Sequence, residues 1–227
     1  AKTDELRRDL MANVSHDLKT PLTMIKAYAE MVRDLTYKNK EKREANLNTI
    51  IDETDRLNNL VNDILSLSIM ESKMLVLNKE EFNLTALIKT IIKRYEIFTT
   101  TLEYKFILDA KVEVIVNADR KKIEQVVYNL INNAINYTGD DKTVYIRIYE
   151  KNGTMVEITD TGKGIDDKEK DLIWDKYYRS KKNHKRNTVG TGLGLAIVKQ
   201  ILELHQFEYG VSSTKNKGTT FYFKINH

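Results

Sequence analysis

The sequence predicts an α+β protein with two parts: an N-terminal antiparallel helical hairpin that forms a four-helix bundle on dimerisation, and an α/β sandwich whose mixed sheet carries helices on one face. Three observations predict it. Apolar residues recur at helical spacing through residues 1–72, strand-like and helix-like segments alternate through residues 80–227, and 227 residues contain one Pro and nine Gly. So few helix breakers favour long, uninterrupted helices. Residues 73–79, where the pattern becomes short and strand-like, are the predicted linker.

The composition excludes several classes of protein. Hydrophobic residues make up 41% and charged residues 31% of the chain, which is typical of a globular protein. The absence of cysteine excludes disulfide scaffolds and cysteine-ligated metal sites. The net charge of +4 is small and the charges are interspersed, so we predict no nucleic-acid partner. No apolar run reaches the length of a membrane span, so we expect a soluble fragment, although its abrupt helical start would fit a piece of an anchored protein.

Two long helices account for residues 1–72. The second carries a coiled-coil seam in alternating steps of four and three, formed by Ile50, Thr54, Leu57, Val61, Ile64 and Ser68. In the first, two consecutive steps of four form a stutter that brackets His16 and Pro21 and locally unwinds a supercoil. Two helices with such broad apolar faces cannot bury themselves as a pair, so we predict a dimer of hairpins.

Strands and helices interleave along residues 80–227. Asn83 is a predicted N-cap, and Asn152 with Gly153 is a predicted hairpin turn. In order, the predicted elements are a helix from Asn83 to about Phe98, strands Tyr104–Leu108 and Val112–Val116, a helix from Asp119 to about Tyr137, strands Val144–Tyr149 and Met155–Thr159, a loop Gly162–Asp167, a helix Leu193–His205, and strands Val211–Ser213 and Thr220–Ile225.

His16 falls on the outer face of the first helix. At 100° per residue it lies near 200°, whereas the apolar face centres near 40°. Asp17 beside it could orient the imidazole and take up its proton, and Pro21 removes the N–H that would bond the Asp17 carbonyl. An exposed neutral imidazole is a competent nucleophile. From this feature alone, a surface histidine without a role remains the alternative.

The second half carries two glycine-rich segments. Asp160–Gly164 follows a predicted strand, and its carboxylate could accept a hydrogen bond from an amino group. Gly190–Gly194 opens a helix, where backbone N–H groups could bind phosphate. Asn129 and Asn133 share a helix face and offer carbonyl oxygens, which suit Mg²⁺. The basic run 181–186 could form a mobile flap. Each feature alone could also be a turn, a polar stripe or a solvated loop without a role in binding.

Together, these motifs resemble the catalytic core of bacterial sensor histidine kinases of two-component systems. The resemblance spans essentially the whole chain. Residues 15–22 (SHDLKTPL) resemble the phosphoacceptor H-box, 129–134 (NLINNA) the N-box, 160–165 (DTGKGI) the first glycine box, 173–179 (IWDKYYR) the F-box, 190–195 (GTGLGL) the second glycine box and 218–221 (GTTF) a short closing glycine box.

The resemblance implies that the γ-phosphoryl group of ATP is transferred to Nε2 of His16, with Asp17 as general base or orienter and Thr20 as a further catalytic residue. It implies that Asn133 holds Mg²⁺ and that Asp160 reads the adenine amino group. The implied ATP-binding residues are Asn129, Asn133, Tyr137, Asp160, Gly162, Gly164, Ile165, Arg179, Gly190, Thr191, Gly192, Leu193, Gly194 and Thr219.

The resemblance also implies partners and a location. It implies a homodimer through residues 1–72 and transfer of the phosphoryl group to an Asp in the receiver domain of a response regulator. Asp17 and Thr20 fit members that also dephosphorylate that regulator, and Thr23 and Ala27 leave room for it. The implied location is cytoplasmic, as part of a membrane-anchored bacterial sensor.

Four residues depart from the family pattern, and these departures bear on the reaction rate and the nucleotide affinity more than on the assignment to the family. They are Gln125, Asn136, Trp174 and Tyr177.

Three other functions are alternatives to the kinase. A dimeric coiled-coil adapter leaves the ordered glycine and Asn motifs unexplained. A nucleic-acid module would need more than one short basic run without interleaved aromatic residues. An ATPase that drives conformational work does not account for the helix with His16, Asp17 and Pro21.

Overall fold

The structure is a computed structural model. It describes residues 2–71, 76–111, 113–176, 178 and 191–226, with backbone only for residues 2–13 and 71. Two helices come first, followed by a region of alternating strands and helices. Within those described ranges, we find no helix that is both long and apolar enough to cross a membrane.

The N-terminal hairpin consists of α1 (Lys2–Met31), a five-residue π-helical turn (Val32–Thr36) and α2 (Lys40–Glu71). Inside α1, Pro21 is buried and the helix continues through it. The turn is closed by buried polar contacts: the Thr36 hydroxyl donates to the Met31 carbonyl over 3.1 Å and accepts from Asn46 Nδ2 over 3.2 Å. These bonds satisfy polar groups where the chain reverses, so the two helices run antiparallel as predicted.

The second part contains seven strands and four helices in its described residues. In chain order they are β1 (Glu80–Asn83), α3 (Leu84–Arg94), α4 (Glu96–Leu102), β2 (Lys105–Ala110), β3 (Ile115–Ala118), α5 (Arg120–Tyr137), β4 (Thr143–Glu150), β5 (Thr154–Asp160), α6 (Gly194–His205), β6 (Glu208–Ser213) and β7 (Thr219–Ile225). Two short 3₁₀ turns, Asp167–Glu169 and Leu172–Trp174, lie between β5 and α6.

Five strands form a mixed sheet in the order β2-β4-β5-β7-β6. The β2–β4 pair is parallel, and the β4–β5, β5–β7 and β6–β7 pairs are antiparallel. β1 and β3 pair separately in an antiparallel two-stranded sheet. The mixed sheet of the predicted fold class is therefore confirmed.

Burial alternates along the central strands, so the sheet has one covered and one open face. Ile146 and Ile158 are at most 1% exposed, whereas Tyr145 and Arg147 on the opposite face reach solvent. Helices α5 and α6 supply the apolar cover, with fully buried Ile123, Val126, Val127, Ile131, Ile197 and Leu202. Helices therefore pack on one face, as predicted.

Several elements differ from the sequence expectation: β1 was not predicted, and β6 begins at Glu208 instead of Val211. The helix expected to reach Phe98 stops at Arg94, because the chain turns at Tyr95 to bury its ring among Phe98, Phe106 and Tyr128. The strand expected at residues 112–116 is β3, which begins later, at Ile115, and pairs with β1. Val112, the first residue of that expected strand, lies outside the described residues.

Helix α2 contributes to the same hydrophobic core as the sandwich. Its Leu60, Leu67 and Met70 are at most 5% exposed and belong to one apolar cluster with residues of α5 and α6. A polar contact adds to this packing, since the Thr191 hydroxyl just before α6 donates to Asp63 Oδ2 of α2 over 2.8 Å. The hairpin and the second glycine segment are therefore in direct contact.

Candidate active site

His16 projects from α1 into solvent, as the sequence predicts. Its side chain is 80% exposed, and Nδ1 lies 3.2 Å from Asp17 Oδ1. A carboxylate at Nδ1 favours the tautomer with the proton on that nitrogen. The lone pair then sits on Nε2, which makes Nε2 the nucleophilic nitrogen.

A cleft of about 310 Å³ lies beside His16. It is lined by His16, Lys19, Thr20, Thr23 and Met24, but Ala27, although exposed, does not line it. The Thr20 hydroxyl donates to the His16 carbonyl over 3.2 Å, and the Thr23 hydroxyl donates to Lys19 over 2.8 Å. The protons of both hydroxyl groups are thus engaged by the helix backbone, while the oxygen lone pairs can still accept a hydrogen bond.

Asp160 is the last residue of β5 and is 2% exposed. Its Oδ1 accepts the Gly162 N–H over 2.8 Å, and its carboxylate also accepts the backbone N–H of Thr219. Burial raises the pKa of Asp160 to about 6 despite these two bonds. A desolvated carboxylate held in one orientation is suited to read a single donor on a ligand.

The first glycine segment lies against the end of α5. A Cβ at Gly162 would collide with the Tyr137 carbonyl oxygen, so only glycine lets the loop approach this closely. The loop then leaves toward β6, where the Ile165 N–H donates to Ser213 Oγ over 2.8 Å. Ser213 Oγ also lies 3.0 Å from Thr219 Oγ1. Asp160, Ile165 and Thr219 are therefore brought to one end of the sheet.

Helix α5 positions the two predicted amide side chains. Asp119 caps its N-terminus by accepting from the Lys122 N–H, and both Asn129 and Asn133 are half-buried. Asn129 Nδ2 donates to the Gly194 carbonyl over 3.3 Å. Because Asn129 already contacts the first residue of α6, the N-box face and the second glycine segment adjoin.

The second glycine segment is described from Thr191 onward. Gly192 has a φ of 71°, in the left-handed region, and Leu193 is fully buried. The Thr191 hydroxyl accepts the Leu193 N–H over 3.3 Å while it donates to Asp63. These contacts place the segment at the N-terminus of α6, where backbone N–H groups are available to an anion.

Several predicted features lie outside the described residues. They are Arg179, Gly190, Tyr177 and the basic run 181–186. Trp174 of the F-box is described and is 8% exposed. Its ring packs edge-on against Tyr209, with centroids 5.0 Å apart, and against Phe221, with centroids 5.6 Å apart. The indole of Trp174 therefore packs against one residue of β6 and one residue of β7.

Asp63 is a site residue that the sequence reasoning missed. Burial raises the pKa of its carboxyl, and the hydrogen bond from Thr191 lowers it. Asp63 lies next to seam positions of α2, and from the sequence alone a charged residue there is expected to be exposed to solvent. Its hydrogen-bond partner, Thr191, is 128 positions further along the chain, so no local sequence pattern could indicate the contact.

A metal ion at this site would depend on Asn133 and on the ligand itself. Among the residues that the structure describes, no group of three or more His, Cys, Asp or Glu side chains could hold a metal ion. A half-buried amide oxygen fits Mg²⁺, which commonly takes few protein ligands and fills its coordination with phosphate oxygens and water. The residues present therefore fit a phosphate-bound Mg²⁺ and give no closed protein cage.

Comparison with known families matches both parts of the chain. The family model for the His Kinase A (phospho-acceptor) domain matches residues 6–73. The model for the "histidine kinase-, DNA gyrase B-, and HSP90-like ATPase" matches residues 118–227. His16 falls in the first match, and Asn129, Asn133, Asp160 and the described glycine segments fall in the second.

Individual relatives agree with these families. The sensor histidine kinase WalK of Bacillus subtilis is 36% identical over 228 residues, which cover 99% of this chain and 37% of that protein. The chain thus spans little more than a third of the length of this relative. Histidine kinase AdeS of Acinetobacter baumannii matches with a TM-score of 0.72 and 27% identity, over 93% of this chain and 97% of that one.

A third match is the histidine kinase ThkA, solved in complex with the response regulator protein TrrA. Its TM-score is 0.76 at 25% identity, over 99% of this chain and 63% of that chain. The phosphoacceptor model matches the helical hairpin, the ATPase model matches the sandwich, and the relatives cover both parts. The chain therefore belongs to the sensor histidine kinases of two-component systems and comprises the catalytic core of that family.

Proposed function

We propose that this chain transfers the γ-phosphoryl group of ATP to Nε2 of His16. The observation that carries the proposal is the exposed imidazole whose Nδ1 faces Asp17, on the same chain as an ATPase-type domain. A bond forms between Nε2 and the γ-phosphorus, the bond from that phosphorus to the β–γ bridging oxygen breaks, and ADP leaves. Asp17 stabilises the imidazolium that develops and accepts its Nδ1 proton.

The nucleotide site of the proposal lies between α5, the end of β5 and the start of α6. Asp160 accepts the adenine amino group, and Gly162, Gly164, Ile165 and Thr219 surround the base. Support comes from the shared position of Asp160 and Thr219 at one end of the sheet and from the buried, oriented carboxylate. The proposed phosphate-binding residues are Asn129, Arg179, Gly190, Gly192, Leu193 and Gly194, and Asn133, Tyr137 and Thr191 complete the nucleotide-binding set.

Mg²⁺ belongs to the same proposal. Asn133 would hold it through its amide oxygen, and the ion would neutralise charge that develops on the phosphate oxygens. Support comes from the position of Asn133 on the face of α5 whose Asn129 contacts Gly194. That contact brings the face of α5 that carries Asn133 beside the N-terminus of α6, where we propose that the phosphates bind.

The proposed active form is a homodimer through residues 1–72, with a linker at 73–79 and the catalytic domain at 80–227. Large apolar side chains on both hairpin helices remain exposed in the single chain: Leu22, Leu47, Ile51, Val61, Leu65 and Ile69, each at 40% or more. Pairing two hairpins into a four-helix bundle would bury such a surface. A response regulator is the proposed phosphoryl acceptor, and ThkA with TrrA is a precedent in the same family.

The cleft beside His16 supports the proposal that a response regulator is the phosphoryl acceptor. Its lining of Thr20, Thr23 and Met24 is small or flexible and leaves the imidazole accessible. Thr20 would orient a water for dephosphorylation of the regulator through its hydroxyl lone pairs. The proposed setting is the cytoplasmic side of a membrane-anchored sensor, and the Bacillus subtilis relative is itself a sensor histidine kinase.

Autophosphorylation with γ-labelled ATP and Mg²⁺ tests the proposal. We expect the chain to acquire an acid-labile, alkali-stable label that His16→Ala abolishes while its ATP affinity stays within about twofold. Lys26→Ala is the matched control, because it truncates an exposed lysine of the same helix that does not line the cleft beside His16. A label that persists in His16→Ala, or a chain that binds no ATP, would contradict the proposal.

A further inference from the structure

Three residues that directly follow α5 converge on the hydroxyl group of Thr161. This residue stands between Asp160, the proposed adenine reader, and Gly162. Its hydroxyl donates to Asp141 Oδ1, accepts the Gly139 N–H over 3.2 Å and lies 2.9 Å from Thr138 Oγ1. The first glycine loop is therefore tied to the residues that follow α5.

The hydrogen bonds of Thr138 complete a reciprocal arrangement. Its hydroxyl donates to the Thr143 carbonyl over 2.8 Å and accepts the Thr161 N–H over 3.4 Å. Each threonine hydroxyl thus has one acceptor for its proton and receives an N–H from the other segment. Thr138, Asp141 and Thr161, the threonine clip hereafter, form a closed set with directed donors and acceptors.

The clip acts on the loop that orients Asp160. The Gly162 N–H, one residue beyond Thr161, is the donor that holds Asp160 Oδ1 over 2.8 Å. Gly162 also lies directly on the Tyr137 carbonyl, one residue before Thr138. The clip and this close approach hold residues 160–162 against the end of α5, and with them the backbone that carries the Asp160 carboxylate.

We infer that Thr138, Asp141 and Thr161 are positioning residues for adenine recognition, an inference that rests on the proposed function. None of the three is placed against the nucleotide. They act through the Gly162 N–H on the direction of the Asp160 carboxylate. The adenine amino group then gains a well-aligned acceptor, and the hydrogen bond strength depends on that alignment.

The test compares ATP with purine riboside triphosphate, which has hydrogen in place of the adenine amino group. We expect the wild-type chain to bind ATP more tightly than the analogue. In Thr161→Val, ATP affinity should fall about tenfold, the loss expected when about 1.4 kcal/mol of hydrogen bonding is removed. Affinity for the analogue should change little, so the ratio of the two dissociation constants should approach one. Thr161→Ser should retain the wild-type ratio.

Thr159→Val is the matched control. It removes a threonine hydroxyl two residues earlier, inside β5, whose partner is Thr220 Oγ1 at 2.8 Å. Its ratio should equal that of the wild type. Asp141→Ala is the second variant of the clip, and because Asp141 is exposed the fold should tolerate the change. It should shift the ratio in the same direction as Thr161→Val.

Two failures are distinguishable. A wild-type chain that binds neither nucleotide contradicts the proposed function itself. A wild-type chain that discriminates, together with Thr161→Val and Asp141→Ala variants that keep the full ratio, overturns the positioning role and leaves the proposed function standing. A loss of thermal stability without a change in ratio counts on the same side, because a purely structural clip would behave in that way.

Discussion

Single residues of the proposed site work in opposite surroundings. The His16 side chain is 80% exposed on a helix, whereas Asp160 is 2% exposed at the end of a strand. The exposed imidazole is accessible to a phosphoryl donor and then to a phosphoryl acceptor. The buried carboxylate is desolvated, so one hydrogen bond from a base counts more there than it would in water.

The raised pKa of Asp160 predicts a pH dependence of nucleotide binding. Only the ionised carboxylate accepts freely from the adenine amino group, and its pKa is about 6 instead of the ordinary 3.8. As pH falls through about 6, the ionised fraction decreases, and ATP affinity should fall by up to about tenfold per pH unit below that value. Titration calorimetry across this range measures it.

Asp160→Asn separates this step from titration of the nucleotide phosphates. The variant should bind ATP weakly at neutral pH and should lack the step near pH 6. An equal step in the wild type and in Asp160→Asn would show that the phosphates, not this carboxylate, cause it. A wild-type ATP affinity that stays constant down to pH 5 would show that Asp160 remains ionised or that adenine binding does not depend on its carboxylate.

Residue roles differ in how far the sequence could indicate them. His16 and Asp160 were identifiable because the residues that make them reactive or oriented lie within a few positions: Asp17 in one case and Gly162 in the other. Asp63 and Asp141 were not identifiable in this way. Their partners, Thr191 and Thr161, lie 128 and 20 positions away, and only the folded chain brings them together.

At the scale of elements, the start of α5 and the end of α6 meet in one buried junction. His205 accepts the Asp119 N–H at Nε2 over 3.1 Å, and its Nδ1 lies 2.8 Å from the Ile201 carbonyl. The Asp119 carboxylate accepts the N–H of Asn78 over 3.0 Å as well as capping α5. One neutral imidazole therefore helps to fix both helices that carry the proposed phosphate site.

This junction predicts acid sensitivity of the fold. Burial lowers the pKa of His205, and nearby Lys79 lowers it further, while the Ile201 carbonyl and Asp119 raise it. The unfolded chain therefore binds this proton more readily, so the free energy of unfolding should decrease as pH falls below about 6.5. Protonation would also set two N–H donors, those of Nε2 and Asp119, against each other.

Thermal unfolding of the wild type and of His205→Gln between pH 5 and pH 8 measures this effect. A glutamine carbonyl can accept the Asp119 N–H but does not titrate. The midpoint of the wild type should fall more steeply toward acid than that of His205→Gln. Parallel curves for the two proteins would contradict a role for His205 in acid sensitivity.

Elements with strong local signals were predictable, and short ones were not. Helix α5 has a capping Asp119 and a long apolar face, and the β4–β5 hairpin has an Asn-Gly turn, so both were predicted within a residue or two. β1 was missed because it has four residues and pairs with β3, which is distant in sequence. The break at Tyr95 was missed because tertiary packing of its ring overrides helix continuity there.

At the scale of the whole molecule, the exposed apolar faces of the hairpin predict a dimer. Ile51 on α2 is 56% exposed, and Ile97 on α4 is 65% exposed. If the hairpin forms the dimer, Ile51→Glu should place a charge in a buried interface and give monomers, whereas Ile97→Glu should leave the mass unchanged. Light scattering after size-exclusion chromatography measures the mass. A wild-type monomer, or dissociation by Ile97→Glu alone, would contradict the proposed interface.

The most direct test of the central claim is the position of the phosphoryl group after incubation with Mg²⁺ and ATP. Phosphorus NMR of the phosphorylated chain, with peptide mapping, distinguishes the two nitrogens of a histidine. The structure predicts a phosphoryl group at Nε2 of His16, because Asp17 faces Nδ1 and leaves the other nitrogen exposed. A phosphoryl group at Nδ1, or on a residue other than His16, would contradict the account.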